Sequence, residues 1–592
     1  MLRTAALLAL SLSAVACLAT AASVPPCDSG VAKYSPCELK FDWNQGELPA
    51  DKSAFRDDIL HVEFRSPDAN TYLVYSFWNA SRTLTVRFTP NEPGTWSYRV
   101  TSAIKRYDAH QASFSVSDDA HPGFVSVANV RHWWTDNKKP HLWMSAEVPW
   151  LELDAPTFKT WLDARKQDGF THARGMLLTQ ETAQNGPLLI NSQPNFGYFD
   201  TLDDRLLYAH GQGFTLDLLF ADHSFLETGV LDKWEERTAL VRYLIARYGA
   251  LNVCWQGIQR FEDHPGSRAL LKQLAALLDK YDSFHHPRST DAGMTSSVLI
   301  HDDWENYIIE SCPDPQLAAV ERQITTVPQI HVIQATEPDA FRHELWRSTT
   351  NGEYPTVTYR ASQNPANVEA MRTWSKLMSD TRHWEFEPFF DVDGARAAGL
   401  DNVEYVLYAE QPGTVEISFS EKHKYNPRWI NPRTGEITDL KDVKEDTYSI
   451  TTPGPGDWIL HVPRTGQKEG MLKSYRFESV DAPIQDVELN PKSIPFEIAQ
   501  PAGDQVSATK PVAFSVKIKK PNRATRAMQY MWTGEVVAEG DGPRVIGLGA
   551  SGTFQIPPAF LKAPNALLNV RVSAINANGK AYSFEKVYQV SE

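Results

Sequence analysis

Between Leu142 and Met378 the chain carries eight short apolar runs, each followed by a stretch of helical periodicity. The runs cover 142–146, 172–178, 215–220, 252–258, 288–291, 307–311, 329–334 and 356–359. Strands alternating with helices of about 10–15 residues imply βαβ units and a parallel sheet. Eight such units in roughly 240 residues predict a closed (β/α)8 barrel. The first helix is well marked: Asp154 caps it, Pro156 sits in its first turn and Gly169 ends it. Further helices are predicted at 233–248, 267–280, 338–350 and 366–378.

On either side the period changes from helical to alternating. Runs at 60–64, 71–78, 83–89, 96–101 and 112–117 alternate apolar and polar residues between turn residues, as in a sandwich. His121-Pro122-Gly123-Phe124 marks a boundary. After Trp384, alternation returns at 403–409, 414–420, 428–431, 447–451 and 458–462, and again at 512–518, 528–532, 552–556, 568–574 and 582–590. The expected class is therefore multidomain, α/β and all-β. It has an immunoglobulin-like β-sandwich at 28–120 and a TIM barrel at 124–390. A small β-sandwich follows at 391–465, and a second immunoglobulin-like module at 480–592.

The first 22 residues read as a signal peptide. Arg3 supplies the positive charge, 5–16 the apolar segment and Ala19-Thr20-Ala21 the cleavage pattern. A secreted or periplasmic protein is expected. The alternative is a lipoprotein, because Ala14-Val15-Ala16-Cys17 resembles a lipobox and would anchor the chain to the envelope through Cys17. Cys27 and Cys37 are placed to close a small loop in an oxidising compartment. Cys254 and Cys312 fall in or next to strands and read as inert core thiols. Net charge is −15, from 58 basic and 73 acidic residues, with no basic stripe, so nucleic acid is not an expected partner. No Cys/His spacing fits zinc, and neither a metal nor a cofactor is called for.

In a (β/α)8 barrel, chemistry stands at the carboxyl ends of the strands. Glu147 and Trp150 follow the first run, and Arg174 lies inside the second. Asp222 and His223 follow the third; Gln259, Arg260 and Glu262 the fourth. Asp291 ends the fifth and Glu310 the sixth, while Glu337 follows the seventh and Tyr359 ends the eighth. Several carboxylates in one polar ring suit glycoside hydrolysis, which needs one acid to protonate the leaving oxygen and another to attack the anomeric carbon or activate water. Glu262 and Glu337, on opposite sides of the ring, are the candidate pair. Carboxylates at strand ends also cap helices, and Glu337 precedes Pro338 at such a start. Arg174 and Arg260 either hold a sugar or pair structurally, Arg174 with Glu147 or Glu310. His223 either binds substrate or is a satisfied polar residue. Of the 17 Trp, most are expected to fill cores; Trp150, Trp255 and Trp304 are placed to stack on a sugar, though Trp255 lies within an apolar run.

The segment Phe88-Thr89-Pro90-Asn91-Glu92-Pro93-Gly94-Thr95-Trp96-Ser97-Tyr98, followed by His121-Pro122-Gly123-Phe124-Val125, resembles the N-terminal sandwich of secreted bacterial glycoside-hydrolase-like proteins. In these a domain of unknown function precedes an apiosidase-like TIM barrel. Residues 401–462, with Trp429-Ile430-Asn431-Pro432-Arg433-Thr434-Gly435, resemble the collagen-binding-type domain of a collagenase that often follows such barrels. The resemblance implies glycan hydrolysis by a carboxylate pair on the fourth and seventh strands. This chain departs from it at both places: the simplest register puts Gln259 or Arg260 at the first and Gln334 or Ala335 at the second, with Glu262 and Glu337 two or three residues further on. Two readings follow. One is a secreted or lipid-anchored glycosidase acting on a polysaccharide or its side chains, with Glu337 as nucleophile or base, Glu262 as acid, and Arg174, Asp222, His223 and Glu310 lining the pocket. The other is a degenerate barrel that binds carbohydrate or serves in cell-surface adhesion. A protease is disfavoured, since neither a zinc motif nor a nucleophile elbow is present.

Overall fold

The computed structural model describes residues 24–591 apart from 129–130, 181–185, 190–192, 303, 467–486, 537–541 and 557–565. The leader and Cys17 lie outside the described residues.

Eight parallel strands form the central ring: β1 (Ser145–Glu147), β2 (His172–Leu178), β3 (Thr215–Ala221), β4 (Val253–Ile258), β5 (Arg288–Ser289), β6 (Ile308–Glu310), β7 (Gln329–Ile333) and β8 (Tyr354–Val357). Their order is β5-β4-β3-β2-β1-β8-β7-β6, with every neighbouring pair parallel. β5 and β6 do not pair directly. The chain leaving β5 runs beside β6 instead: Ser296 N–H donates to the Ile309 carbonyl at 2.9 Å and Ser311 N–H to that of Met294 at 3.0 Å. All residues of β3 and β4 are buried. Strands covered on both faces need continuous apolar runs rather than alternation, which is why these two were the plainest in the sequence.

The helices are α1 (Ala155–Gln167), α2 (Phe196–Gly211), α3 (Trp234–Tyr248), α4 (Ser267–Tyr281), α5 (Pro315–Ile324), α6 (Pro338–Thr350) and α7 (Pro365–Ser379). Asp154, Asp314 and Asn364 cap α1, α5 and α7 through side-chain oxygens on early backbone N–H groups. Proline follows each of these caps, pre-set for a first helical turn. A hairpin of Val125–Ala128 and His132–Thr135 closes the amino end of the ring, with Trp133 packed 4.6 Å from Trp143 and 5.2 Å from Tyr307.

Before the barrel stand a five-stranded and a three-stranded sheet. In Gly94–Ser102, Trp96, Tyr98 and Val100 are buried while Ser97, Arg99 and Thr101 are exposed, the period-two pattern of a half-buried strand. Cys27 and Cys37 form a disulfide here. Arg87 ties this sandwich to the barrel: buried, it donates to Glu38 and to Asp203 of α2, and to the Arg247 carbonyl of α3. After the barrel come a six-stranded and a three-stranded sheet, then a further pair of three and five strands reaching Ser591. The last pair packs Met531, Ile575 and Ala581 against Leu317, Ala319 and Val320 of α5. Among the described residues no helix is long and apolar enough to cross a membrane.

Candidate active site

The carboxyl ends of β1 to β4 and β8 surround a cavity of about 810 Å3. That is the size of a small-molecule site. Its floor is organised by one side chain. Arg174, in the middle of β2 and 3% exposed, points into the ring. Its Nη1 donates to Glu147, its Nη2 to Asp291 at 2.6 Å and its Nε to Gln256 at 2.7 Å. Gln256 in turn donates to the Tyr307 hydroxyl at 3.2 Å. Burial pulls the Arg174 guanidinium down, but Asp291 and Glu147 more than restore it, so it stays charged. A fork of five N–H donors is the group suited to hold two carboxylates at once. The two acids are thus no further apart than one guanidinium and two hydrogen bonds allow.

Glu147 lies on the cavity wall. Burial pushes its carboxyl above the usual glutamate value; Arg174 pulls it back only in part, and Asp291 adds to the rise. Asp222, just after β3, lines the same cavity. Its Oδ1 accepts from the Ser224 hydroxyl at 2.7 Å and the Phe225 N–H at 2.9 Å, capping a short helix, and no hydrogen bond to Oδ2 is seen among the described residues. Gln259 stands beside it at the end of β4, its side-chain oxygen accepting the His223 N–H at 3.2 Å. Tyr359 and Arg360, after β8, complete the rim.

Of the residues singled out in the sequence, Glu147, Trp150, Arg174, Asp222, Gln259 and Tyr359 meet at this cavity. Trp150 does so as wall rather than as a stacking platform. It is 1% exposed, its indole N–H donates to the Met176 carbonyl, and a Cβ on Gly175 would lie 2.5 Å from its ring. Trp255 and Trp304 are core.

The others are placed elsewhere. Glu262 does not line the cavity: both carboxylate oxygens accept backbone N–H groups, from Gly293 at 2.9 Å and Met294 at 3.0 Å, pinning the loop after β5. Burial raises it and those two N–H groups oppose the rise. Glu337 is exposed at the start of α6 and its side chain makes no cap hydrogen bond. Asp291 is buried, with one oxygen on Arg174 and the other on the Arg260 N–H at 2.9 Å. The Arg260 side chain is exposed and pairs with Asp263 at 2.7 Å, its backbone left-handed at φ 44°. His223 packs against His264, ring centroids 4.5 Å apart, off the cavity wall. Glu310 is corrected most sharply. It is 1% exposed and lies behind the ring among the helices, next to a separate small void rather than in the mouth.

Residues missed in the sequence are Gln256 and Tyr198. The first was visible as a lone polar side chain inside an apolar run. Tyr198 lines the cavity from the first turn of α2, its hydroxyl donating to the Leu177 carbonyl at 2.7 Å; that helix carried no clear sequence signal.

The comparisons with known proteins agree with this fold. No curated protein sequence matches the chain. A structure from Bacteroides vulgatus, whose glycoside hydrolase assignment is itself provisional, superimposes with a TM-score of 0.64 at 14% identity, over 74% of this chain and 100% of that one. A glycoside hydrolase family 5 structure from the same organism gives a TM-score of 0.50 at 15% identity, over 58% and 94%. At such identity these likenesses describe the fold. Residues 30–103 match DUF5060, a domain of unknown function, and residues 128–367 match the apiosidase-like catalytic domain. The chain thus carries a segment that matches DUF5060 ahead of a barrel that matches the apiosidase-like catalytic domain, on a fold shared with glycoside-hydrolase structures.

Proposed function

We propose that this protein is a glycosidase that takes a glycan into the mouth cavity and cleaves an O-glycosidic bond of a polysaccharide or one of its side chains. The observation that carries the reading is Glu147: a carboxyl on the cavity wall, pushed upward by burial, beside a fixed guanidinium. A carboxylic acid that holds its proton to higher pH than an ordinary glutamate is what protonation of a leaving glycosidic oxygen requires. Asp222 supplies the second carboxylate from the third strand, stabilising the oxocarbenium-like transition state or activating water. Glu262 and Glu337, the pair expected from sequence, stand off this cavity, and the reading moves both roles to Glu147 and Asp222. The disulfide between Cys27 and Cys37 supports export, by cleavage of a leader at residues 1–22 or through a lipid on Cys17.

The test is a polysaccharide panel scored by released sugar. Glu147→Gln and Asp222→Asn should each cut release by orders of magnitude while glycan is still retained, and Glu262→Gln and Glu337→Gln should stay near wild type. Loss of release in the second pair with full activity in the first would return the chemistry to Glu262 and Glu337.

One observation favours a second reading. Gln259, an amide, lines the cavity at the end of β4, where the family resemblance implies an acid. A barrel that binds glycan without cleaving it would retain polysaccharide in affinity electrophoresis and release nothing as wild type.

A further inference from the structure

Behind the ring, in the layer between strands and helices, three buried groups converge. Glu310 ends β6, His331 sits in β7 and Glu353 immediately precedes β8. Glu310 and His331 are register partners, and His331 pairs with Pro355, two residues beyond Glu353. One ligand atom from each lies within 4.8 Å of the other two. The residues are 1%, 3% and 4% exposed. His331 Nδ1 is 3.9 Å from a Glu310 oxygen and 3.8 Å from a Glu353 oxygen, beyond hydrogen-bond range. Among the described residues, neither Glu310 oxygen, nor His331 Nδ1, nor Glu353 Oε1 meets an N–H or O–H donor from another group; Glu310 and Glu353 reach only each other, and two carboxyls can bond to one another only through a shared proton. Buried polar atoms left this way are costly, more so when charged.

The surroundings fix these groups without satisfying them. His331 Nε2 lies 2.8 Å from Glu344 of α6. Glu344 also accepts the N–H groups of Gln334 at 2.8 Å and Ala335 at 2.9 Å, so its carboxylate is held in place. The imidazole is thereby turned with Nδ1 towards Glu310 and Glu353. A void of about 10 Å3 is lined by Glu310, His331, Glu344, Glu353 and Cys312, room for a single water or ion. The cations of the flanking helices are engaged: Arg322 with Glu387, Arg347 with Glu410. Glu321 of α5 adds a further buried carboxylate, bonded to the Ser297 hydroxyl at 2.6 Å.

We propose that Glu310, His331 and Glu353 bind one divalent cation of the Mn2+ or Zn2+ kind, with Glu344 as the positioning residue for the imidazole. Two carboxylates neutralise a dication, and an imidazole nitrogen shifts preference away from Ca2+ and Mg2+. The Glu344–His331 contact is the carboxylate–histidine arrangement that orients metal-bound imidazoles. The ion ties β6, β7 and the start of β8 together, beside the place where β5 and β6 fail to pair.

The full-length protein, stripped with chelator and desalted, is loaded with MnCl2 or ZnCl2 and passed through gel filtration, and retained metal is counted. One cation per chain is expected. Glu310→Gln and Glu353→Gln should each weaken retention at least about tenfold, while the exposed Glu337→Gln leaves it unchanged. Pulsed electron paramagnetic resonance on the Mn2+-loaded wild type should show coupling to one imidazole nitrogen, a readout that does not depend on any variant folding. The proposal is overturned if the wild type retains no cation, if bound Mn2+ shows no nitrogen coupling, or if both glutamine variants retain metal normally. Glu310 and Glu353 would then hold only a shared proton.

Discussion

At the barrel mouth, Glu147 and Asp291 lie on two prongs of the Arg174 guanidinium, and every charged oxygen of Asp291 has a donor. Behind β6 to β8, Glu310 and Glu353 crowd together with an imidazole whose inward nitrogen has no hydrogen-bond partner among the described residues, and the nearby arginines are spoken for. Each cluster brings together two carboxyls from strands that are not neighbours in the ring. The mouth carries its own arginine on the chain; the rear cluster has two carboxyls whose protons are held by burial, one imidazole and a void instead. A self-compensated cluster can present a carboxyl to solvent and to a substrate. An uncompensated one has to take up something from outside, a proton or a metal, before it is stable.

The largest expected effect tests the mouth. Replacing Glu147 by Gln should lower turnover by about 10^2–10^4, the range for losing a positioned general acid, measured as sugar release on the responsive glycan. Turnover within a factor of two of wild type would remove Glu147 from the chemistry. Next comes the shared cation. Arg174→Met leaves the buried Asp291 without its ion-pair partner and uncouples the half-buried Glu147, and should cost about 3 kcal/mol in urea unfolding. A cost near zero would mean the mouth is not self-compensated after all.

The rear cluster should behave in the opposite sense. In chelator, Glu310→Gln removes a carboxyl that burial and Glu353 already push far up, so little stability should be lost. With Mn2+ at about 100 times its dissociation constant, the wild type should gain about 2.7 kcal/mol and the variant, binding at least tenfold more weakly, no more than about 1.4 kcal/mol, read as melting temperature with and without the ion. Equal shifts in both would erase the contrast. The smallest effect is in pH. The Glu147 carboxyl is raised by burial, so its proton is present below the ordinary glutamate value and is lost only as pH rises through the raised one. Turnover should therefore hold through the usual carboxylate range and fall on the alkaline side. Because Arg174 favours the ionised form, Arg174→Met should move that alkaline limb upward in kcat profiles; a downward shift would contradict the pairing.

The barrel was legible because buried parallel strands announce themselves. The run at 172–178 is the observed β2 to the residue, and 338–350 is α6. Where the signal weakened, so did the boundaries: β5 is two residues, Arg288–Ser289, against a run of four, because its partner on one side is a loop. α2 went unseen since its start, Phe196–Gly197–Tyr198, has neither a side-chain cap bond nor a polar first turn. The ring of polar residues was found by position alone, and six of its members do share a cavity. Which side chains face the cavity was less legible. Glu262 looks catalytic by spacing, yet its oxygens turn to the backbone of Gly293 and Met294, a choice made by a loop thirty residues away. The rear cluster was equally hidden: Glu310, His331 and Glu353 are separated along the chain, and only strand register brings them together.

The gap between β5 and β6 makes the cylinder an unlaced one. Seven of its seams are stitched by ladders of main-chain bonds, and the eighth by a few contacts from a passing loop. Thermal breathing begins where cross-links are fewest, so amide exchange at Ile309 and Ser311 should outrun that of β3 and β4. When the molecule loosens, it should part there like an opened cuff, with β1 to β5 on one side and β6 to β8 folded back on the other.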